Sequence, residues 1–219
     1  MAQIKLNATY GLTGNLPAVN GSAVTNLTSG NLSGNLPALN GAALTALNAS
    51  NVASGTLNTS RYVQGGISMA NSWRLSSALS GSSSPITANW EEIDTDGYGD
   101  IGTSMSNSSG VFSFPSTGIY MIHIFCNVGH NAESTYNIFA LNTTTDNSNY
   151  GGAAQARVYI SGGDGDETQS GYSNFIFDVT NTSTHKIRFD FSTQNSATLR
   201  SDTNNQIGTG FTIIRLGDT

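Results

Sequence analysis

A ten-residue stretch near the N-terminus recurs with only two conservative changes. Leu12-Thr13-Gly14-Asn15-Leu16-Pro17-Ala18-Val19-Asn20-Gly21 returns as Leu32-Ser33-Gly34-Asn35-Leu36-Pro37-Ala38-Leu39-Asn40-Gly41, and Val24 and Leu27 return as Leu44 and Leu47. The period is 20 residues, and a degenerate third copy starts at Val52 and fades by Tyr62. A unit this short cannot bury its own apolar face and must find a core by stacking or by assembly. Apolar spacings of three and four invite a helical reading. Pro17, Pro37 and the recurring glycines argue against it, because both residue types break helices. Asn20-Gly21 and Asn40-Gly41 are tight-turn signals. A pentapeptide solenoid fits less well, since the register slips and about fifty residues would leave it short and poorly capped. The first unit offers only Leu12, Leu16, Val19, Val24 and Leu27 as sizeable aliphatics. One chain cannot enclose a core with these. Three chains can, by turning the row Leu12, Leu16, Val19, Leu32, Leu36 and Leu39 toward a common axis. The repeat therefore predicts a homotrimeric shaft over residues 11–65, preceded by a short segment, residues 1–10.

Residues 66–219 have a different texture. Aromatic and β-branched residues alternate with polar ones between turn clusters, the pattern of short strands. Strands are expected near 72–80, 86–93, 110–114, 118–128, 135–143, 153–160, 172–180, 185–193 and 207–216. Turns are expected at Ser108-Ser109-Gly110, Pro115-Ser116-Thr117-Gly118, Ser161-Gly162-Gly163 and Asn181-Thr182-Ser183. Many short strands without a helical pattern predict an all-β, two-sheet antiparallel sandwich of jelly-roll kind. Only 10% of the residues are charged, against roughly 25% in ordinary domains, and Gly, Ser, Thr and Asn take their place.

Ser109-Gly110-Val111-Phe112-Ser113-Phe114-Pro115-Ser116-Thr117-Gly118-Ile119-Tyr120 resembles the core signature of the C1q/tumour-necrosis-factor-like superfamily, where a Gly-x-Phe strand meets Pro-x-x-Gly-x-Tyr at a turn. Gly210-Phe211-Thr212-Ile213-Ile214-Arg215-Leu216 resembles that family's last strand. Trp73-Arg74-Leu75 with Ile86 and Trp90 looks like the opening hairpin of C1q-like heads on phage fibres. The Leu-Pro-Ala-x-Asn-Gly repeats resemble shafts of phage and cyanophage tail fibres. The resemblance implies a trimeric jelly-roll head over residues 66–219, carried on a shaft and anchored by its N-terminus to a phage tail, baseplate or capsid protein. It implies a virion protein made in the host cytoplasm, whose role is attachment to a host surface glycan or receptor. The sequence shows no collagen-like repeat, and its first residues lead us to expect no secretory signal, which sets it apart from the vertebrate relatives that the resemblance names. A small tailspike depolymerase and a non-adhesive virion accessory are the alternatives.

Other residue patterns narrow the chemistry. The net charge of −6, with eight scattered Lys and Arg, offers no phosphate-neutralising surface, so nucleic acid is not an expected partner. No run approaches the roughly 18 apolar residues of a membrane helix. Cys126, the lone cysteine, sits in the apolar run 119–128 and reads as a buried free thiol. His123, His130 and His185 show no pairing at metal spacing, and Gly-x-Ser-x-Gly is absent. No catalytic residue is expected. Asp94, Asp96 and Asp100 cluster around glycines in a loop of the kind that could hold Ca²⁺, or they form a solvated hairpin tip; Gly163-Asp164-Gly165-Asp166-Glu167 is a second acidic loop. Tyr98, Tyr136, Tyr150, Tyr159 and Tyr172 lie in or beside polar loops. They either bind sugar rings or pack the head and its trimer interface.

Overall fold

The computed structural model describes residues 66–162, 167–201 and 206–219. The chain separates into two units, Met1–Leu57 and Asn58–Thr219, and all described residues belong to the second. The shaft positions Leu12, Leu16, Val19, Leu32, Leu36 and Leu39 and the segment 1–10 lie outside the described residues, as do residues 163–166 of the second acidic loop.

The described residues form twelve strands and no helix. They are β1 (Ala70–Leu75), β2 (Leu79–Ser80), β3 (Trp90–Glu92), β4 (Ser106–Ser108), β5 (Val111–Ser113), β6 (Gly118–His130), β7 (Ser134–Thr144), β8 (Gly151–Ile160), β9 (Glu167–Val179), β10 (Lys186–Thr193), β11 (Thr198–Leu199) and β12 (Gly210–Gly217). The antiparallel pairs are nested: β1 with β12, β5 with β10, β6 with β9, and β7 with β8. A long hairpin rolled upon itself pairs its strands in this order, which is the jelly roll. The roll divides into a seven-stranded sheet containing β3-β1-β12-β6 with β9 on the far edge of β6, and a five-stranded sheet β4-β5-β10-β7-β8.

Local chemistry explains where strands start and stop. Ser109 (φ 50°) and Gly110 (φ 81°) both take left-handed backbone between Ser108 and Val111, which pair across the turn. Two positive φ values in a two-residue loop make a type I′ hairpin. A side chain at Gly110 would also run into the carbonyl of Ile86. At the next turn the buried Tyr120 donates its hydroxyl to the carbonyl of Ser116 at 2.9 Å and packs its ring 4.8 Å from Phe114. The Pro-x-x-Gly-x-Tyr stretch is thus a stapled corner.

Two expected strands are shorter than the sequence suggests. The 72–80 segment splits into β1 and β2 around Ser76, whose amide bonds to the carbonyl of Asn89 instead of to a sheet neighbour. The 86–93 segment is strand only from Trp90, because Asn89 sits at φ 64°. Its side chains nevertheless pack inward: Ile86 is buried, and the Trp90 indole donates to the Ile86 carbonyl at 3.0 Å.

Alternate residues of both sheets meet in one core. At its centre Phe112 and Phe189 from the five-stranded sheet meet Trp73, Trp90 and Phe211 from the other, with ring centroids 4.7–5.9 Å apart. Most pairs are edge-to-face, the arrangement favoured by ring quadrupoles. Cys126 is fully buried as expected, and burial pushes its thiol up to about 11. At pH 8 only about a thousandth of it is thiolate, the reactive form. The native protein is therefore expected to resist alkylation at Cys126, with rapid labelling only in denaturant. Labelling of the native protein at the rate of a free thiol, followed by mass spectrometry, would contradict the buried placement.

Candidate functional site

The outer faces of the two sheets have opposite character. On the seven-stranded sheet, registers across β9, β6, β12 and β1 align three rows. Ile176, Met121, Ile214 and Ala70 form an apolar row. Asn174, His123, Thr212 and Ser72 form a polar one. Tyr172, Phe125, Gly210 and Arg74 form the third. Tyr172 is 75% exposed and Ile176 56%, and Ile207 and Leu216 add to the same apolar exposure. A shallow depression of about 430 Å³ lies between His123, Phe125, Tyr172 and Ile207. The polar row is internally satisfied: His123 Nδ1 meets Asn174 Oδ1 at 2.5 Å, and the Ser72 and Thr212 hydroxyls lie 2.8 Å apart. Exposed apolar groups on both sides of a polar row whose members are already paired mark an interaction surface. The signal for it stood in β6. Gly-Ile-Tyr-Met-Ile-His-Ile-Phe-Cys lacks the polar-out alternation of a half-solvated strand, and such a run reads as covered on both faces.

The outer face of the five-stranded sheet is polar. Lys186 Nζ donates to Ser113 Oγ and the Thr182 carbonyl at 2.9 and 2.7 Å. The Arg188 guanidinium lies 4.2 Å over the Tyr150 ring, a cation–π contact. The loop leading to Tyr150 is fixed by Asp146, whose carboxylate accepts from the amides of Ser148 and Asn149, the Asn149 side chain and the Thr144 hydroxyl. These donors hold the carboxyl well below the usual range. Burial raises the Tyr150 phenol, with Arg188 opposing the shift.

At one end of this face β7 bulges. Ser134 pairs with Ile160 and Asn137 with Val158, so Thr135 and Tyr136 together face Tyr159. A bulge re-aims side chains, and here Tyr136 and Tyr159 stand 49% and 54% exposed beside Arg157.

The five tyrosines singled out in the sequence thus fall in four places. Tyr136 and Tyr159 come together. Tyr150 is covered by Arg188. Tyr172 belongs to the apolar face of the other sheet. Tyr98 is a structural anchor: its hydroxyl oxygen accepts the Ser72 amide at 2.6 Å, and burial, with the neighbouring Asp100 carboxylate, pushes it up to about 12. Tyr98→Phe removes that acceptor from a buried amide and is expected to cost about 1–3 kcal/mol. Thermal unfolding should show it, with oligomer mass unchanged; an unaltered Tm would contradict the anchoring role.

The aspartates of the 94–100 loop do not converge. Asp94 meets the buried Arg74 at 3.3 Å, and Asp100 accepts from Ser104 Oγ at 3.2 Å. Among the described residues no group of three or more His, Cys, Asp or Glu comes together, so within one chain Asp94, Asp96 and Asp100 build no carboxylate cage for Ca²⁺. The histidines take structural partners: Asn174 for His123, the Ala132 carbonyl for His130, and Thr180 and Thr184 for His185. Sequence reasoning passed over Arg157, an isolated charge in a polar stretch, and the outward residues Ile119, Met121, Ile176 and Ile214.

No protein-family model and no curated protein matches the chain. Among solved structures it is similar to murine APRIL at pH 5.0, with a TM-score of 0.49 and 13% identity over 68% of this chain and 98% of that one. It is also similar to Eiger TNF from S. frugiperda, with a TM-score of 0.49 and 14% identity over 69% of this chain and 94% of that one. At such identity the likeness is one of fold alone.

Proposed function

We propose that the chain is a homotrimeric fibre subunit of a bacteriophage particle, which attaches the virion to a host surface glycan by multivalent binding. Residues 1–10 anchor it to a tail, baseplate or capsid protein, residues 11–65 form the shaft and residues 66–219 the head. The observation that carries this reading is the contrast between the two outer faces of the jelly roll. The apolar face of β9, β6 and β12 leaves Tyr172 and Ile176 in water in a single chain. Burial of such surface is favourable by about 25 cal/mol per Å². Three copies turning this face to a common axis cover it and leave three polar faces outward. The same closure serves the sparse aliphatic row of the repeat. Three outward faces, multiplied over several fibres, convert weak contacts into firm attachment.

The test is retention of fluorescently labelled protein on a panel of washed bacterial cells. The trimer is expected to stay on at least one strain, with avidity on the order of a hundredfold above a monomeric variant. Equal retention of monomer and trimer, or none on any strain, would count against adhesion. Release of reducing ends from the polysaccharide of a bound strain would make the protein a depolymerase.

A further inference from the structure

The bulge at the end of β7 is held by more hydrogen bonds than a sheet edge needs. Ser134 and Asn137 are both fully buried. Ser134 Oγ lies 2.7 Å from the Gln194 carbonyl and 3.0 Å from Asn137 Oδ1, and its one proton is directed at this pair of acceptors. Asn137 also accepts from Thr193 Oγ1 at 2.6 Å and donates to the Val158 carbonyl at 3.3 Å. Gln194 closes the network: its side-chain oxygen takes the amide and hydroxyl of Thr135, and its amide donates to the Tyr136 carbonyl at 3.1 Å. A satisfied buried network of this kind fixes a unique geometry. What it fixes is outside: two exposed phenol rings flanking a shallow depression of about 210 Å³, with Arg157 at its side.

Arg157 is pre-oriented as well. Its Nε and Nη2 both donate to Gln155 Oε1, at 2.9 and 2.6 Å. Of the five guanidinium N–H groups, that leaves three facing solvent, and among the described residues no carboxylate pairs with Arg157. Glu133, which accepts the Tyr159 hydroxyl at 3.5 Å, is not among the residues that line the depression. The depression is smaller than the roughly 300–1,000 Å³ of pockets that engulf a ligand. It suits a ring laid on its face.

We infer that this groove binds an acidic saccharide, the sugar ring resting on Tyr159 and Tyr136 and its carboxylate accepting from the free N–H groups of Arg157. The inference rests on the attachment reading for its biological meaning and deepens it by naming the ligand class. A guanidinium favours carboxylate by charge and by its planar fork.

The test is calorimetric titration of the full-length protein with a short oligogalacturonate and with the matched neutral galacto-oligosaccharide. Expected are binding of the acidic oligomer, at least tenfold weaker binding of the neutral one, and weakening as salt rises. Arg157→Gln should lose about tenfold for the acidic oligomer and nothing for the neutral one. Tyr159→Ala should weaken both, and Tyr159→Phe, which keeps the ring, should bind as the parent does. Equal binding of both oligomers, no binding of either, or an indifferent Arg157→Gln would overturn the assignment. Cell retention separates this from the broader reading. If neither oligomer titrates while the parent still adheres to cells, the groove proposal falls and adhesion stands. If the parent adheres to no strain yet titrates with the acidic oligomer, adhesion falls and the groove stands.

Discussion

Aspartate at both Tyr172 and Ile176 is expected to leave a folded chain that no longer holds its partners. Both side chains point away from the sandwich core and are largely exposed in one chain, so their replacement leaves the core of the head intact. In a threefold assembly each new carboxylate is repeated near the axis. Charges taken out of water without a partner are costly, and like charges at close range add repulsion. The variant would also forfeit the apolar area that closure around the axis covers. Assembly should weaken on the order of a hundredfold or more, since about 1.4 kcal/mol is worth each factor of ten. At low concentration the mass should fall to 22.8 kDa while the β-sheet circular dichroism persists. Serine at Tyr136 and Tyr159 provides the control, since these residues lie on the polar outer face and should leave the mass untouched. A double-aspartate variant that assembles like the parent would show that the apolar face is not the contact.

Phe112→Ala acts in the opposite way, on folding first. Phe112 is wholly inaccessible, with its ring 5.2 Å from Trp73, 5.3 Å from Trp90, 5.7 Å from Phe189 and 4.9 Å from Phe211. These partners come from both sheets, so the ring joins the two layers. Truncation leaves a cavity between rigid aromatic walls that cannot collapse, and such changes cost about 3–5 kcal/mol. For a domain of this size that corresponds to a fall in Tm of about 10 °C. Phe112→Leu, which refills part of the volume, should recover about half of the loss. A Tm within two degrees or so of the parent would mean that the cluster is not the centre of the core.

Much of this fold was legible in the sequence, and the exceptions have physical causes. Long strands announced themselves by alternation, as in Lys186–Thr193, or by an unbroken apolar run, as in Gly118–His130. The turn at Ser109-Gly110 was readable through Gly110, because left-handed backbone selects glycine. Ser106–Ser108 and Thr198–Leu199 went unnoticed: three polar residues and a two-residue strand have no period to detect, and only pairing with β5 and β6 makes them strands. The site was less legible. Tyr136 and Tyr159 were visible as residues, but the bulge that joins them depends on Thr193 and Gln194, more than fifty positions away. Arg157 gains meaning only from the register that sets it opposite Ile138 and two residues from Tyr159. At Asp94, Asp96 and Asp100 the loop composition left a calcium site and a solvated hairpin tip both open. It gave no sign that Arg74 would draw Asp94 aside.

The central property is that a lone copy of the head leaves the apolar face around Tyr172 and Ile176 in water. Light scattering of the purified full-length protein across a dilution series measures this directly. Closure by sister chains predicts a mass of three times 22.8 kDa that persists on dilution. A well-folded particle of single-chain mass at every concentration would contradict it.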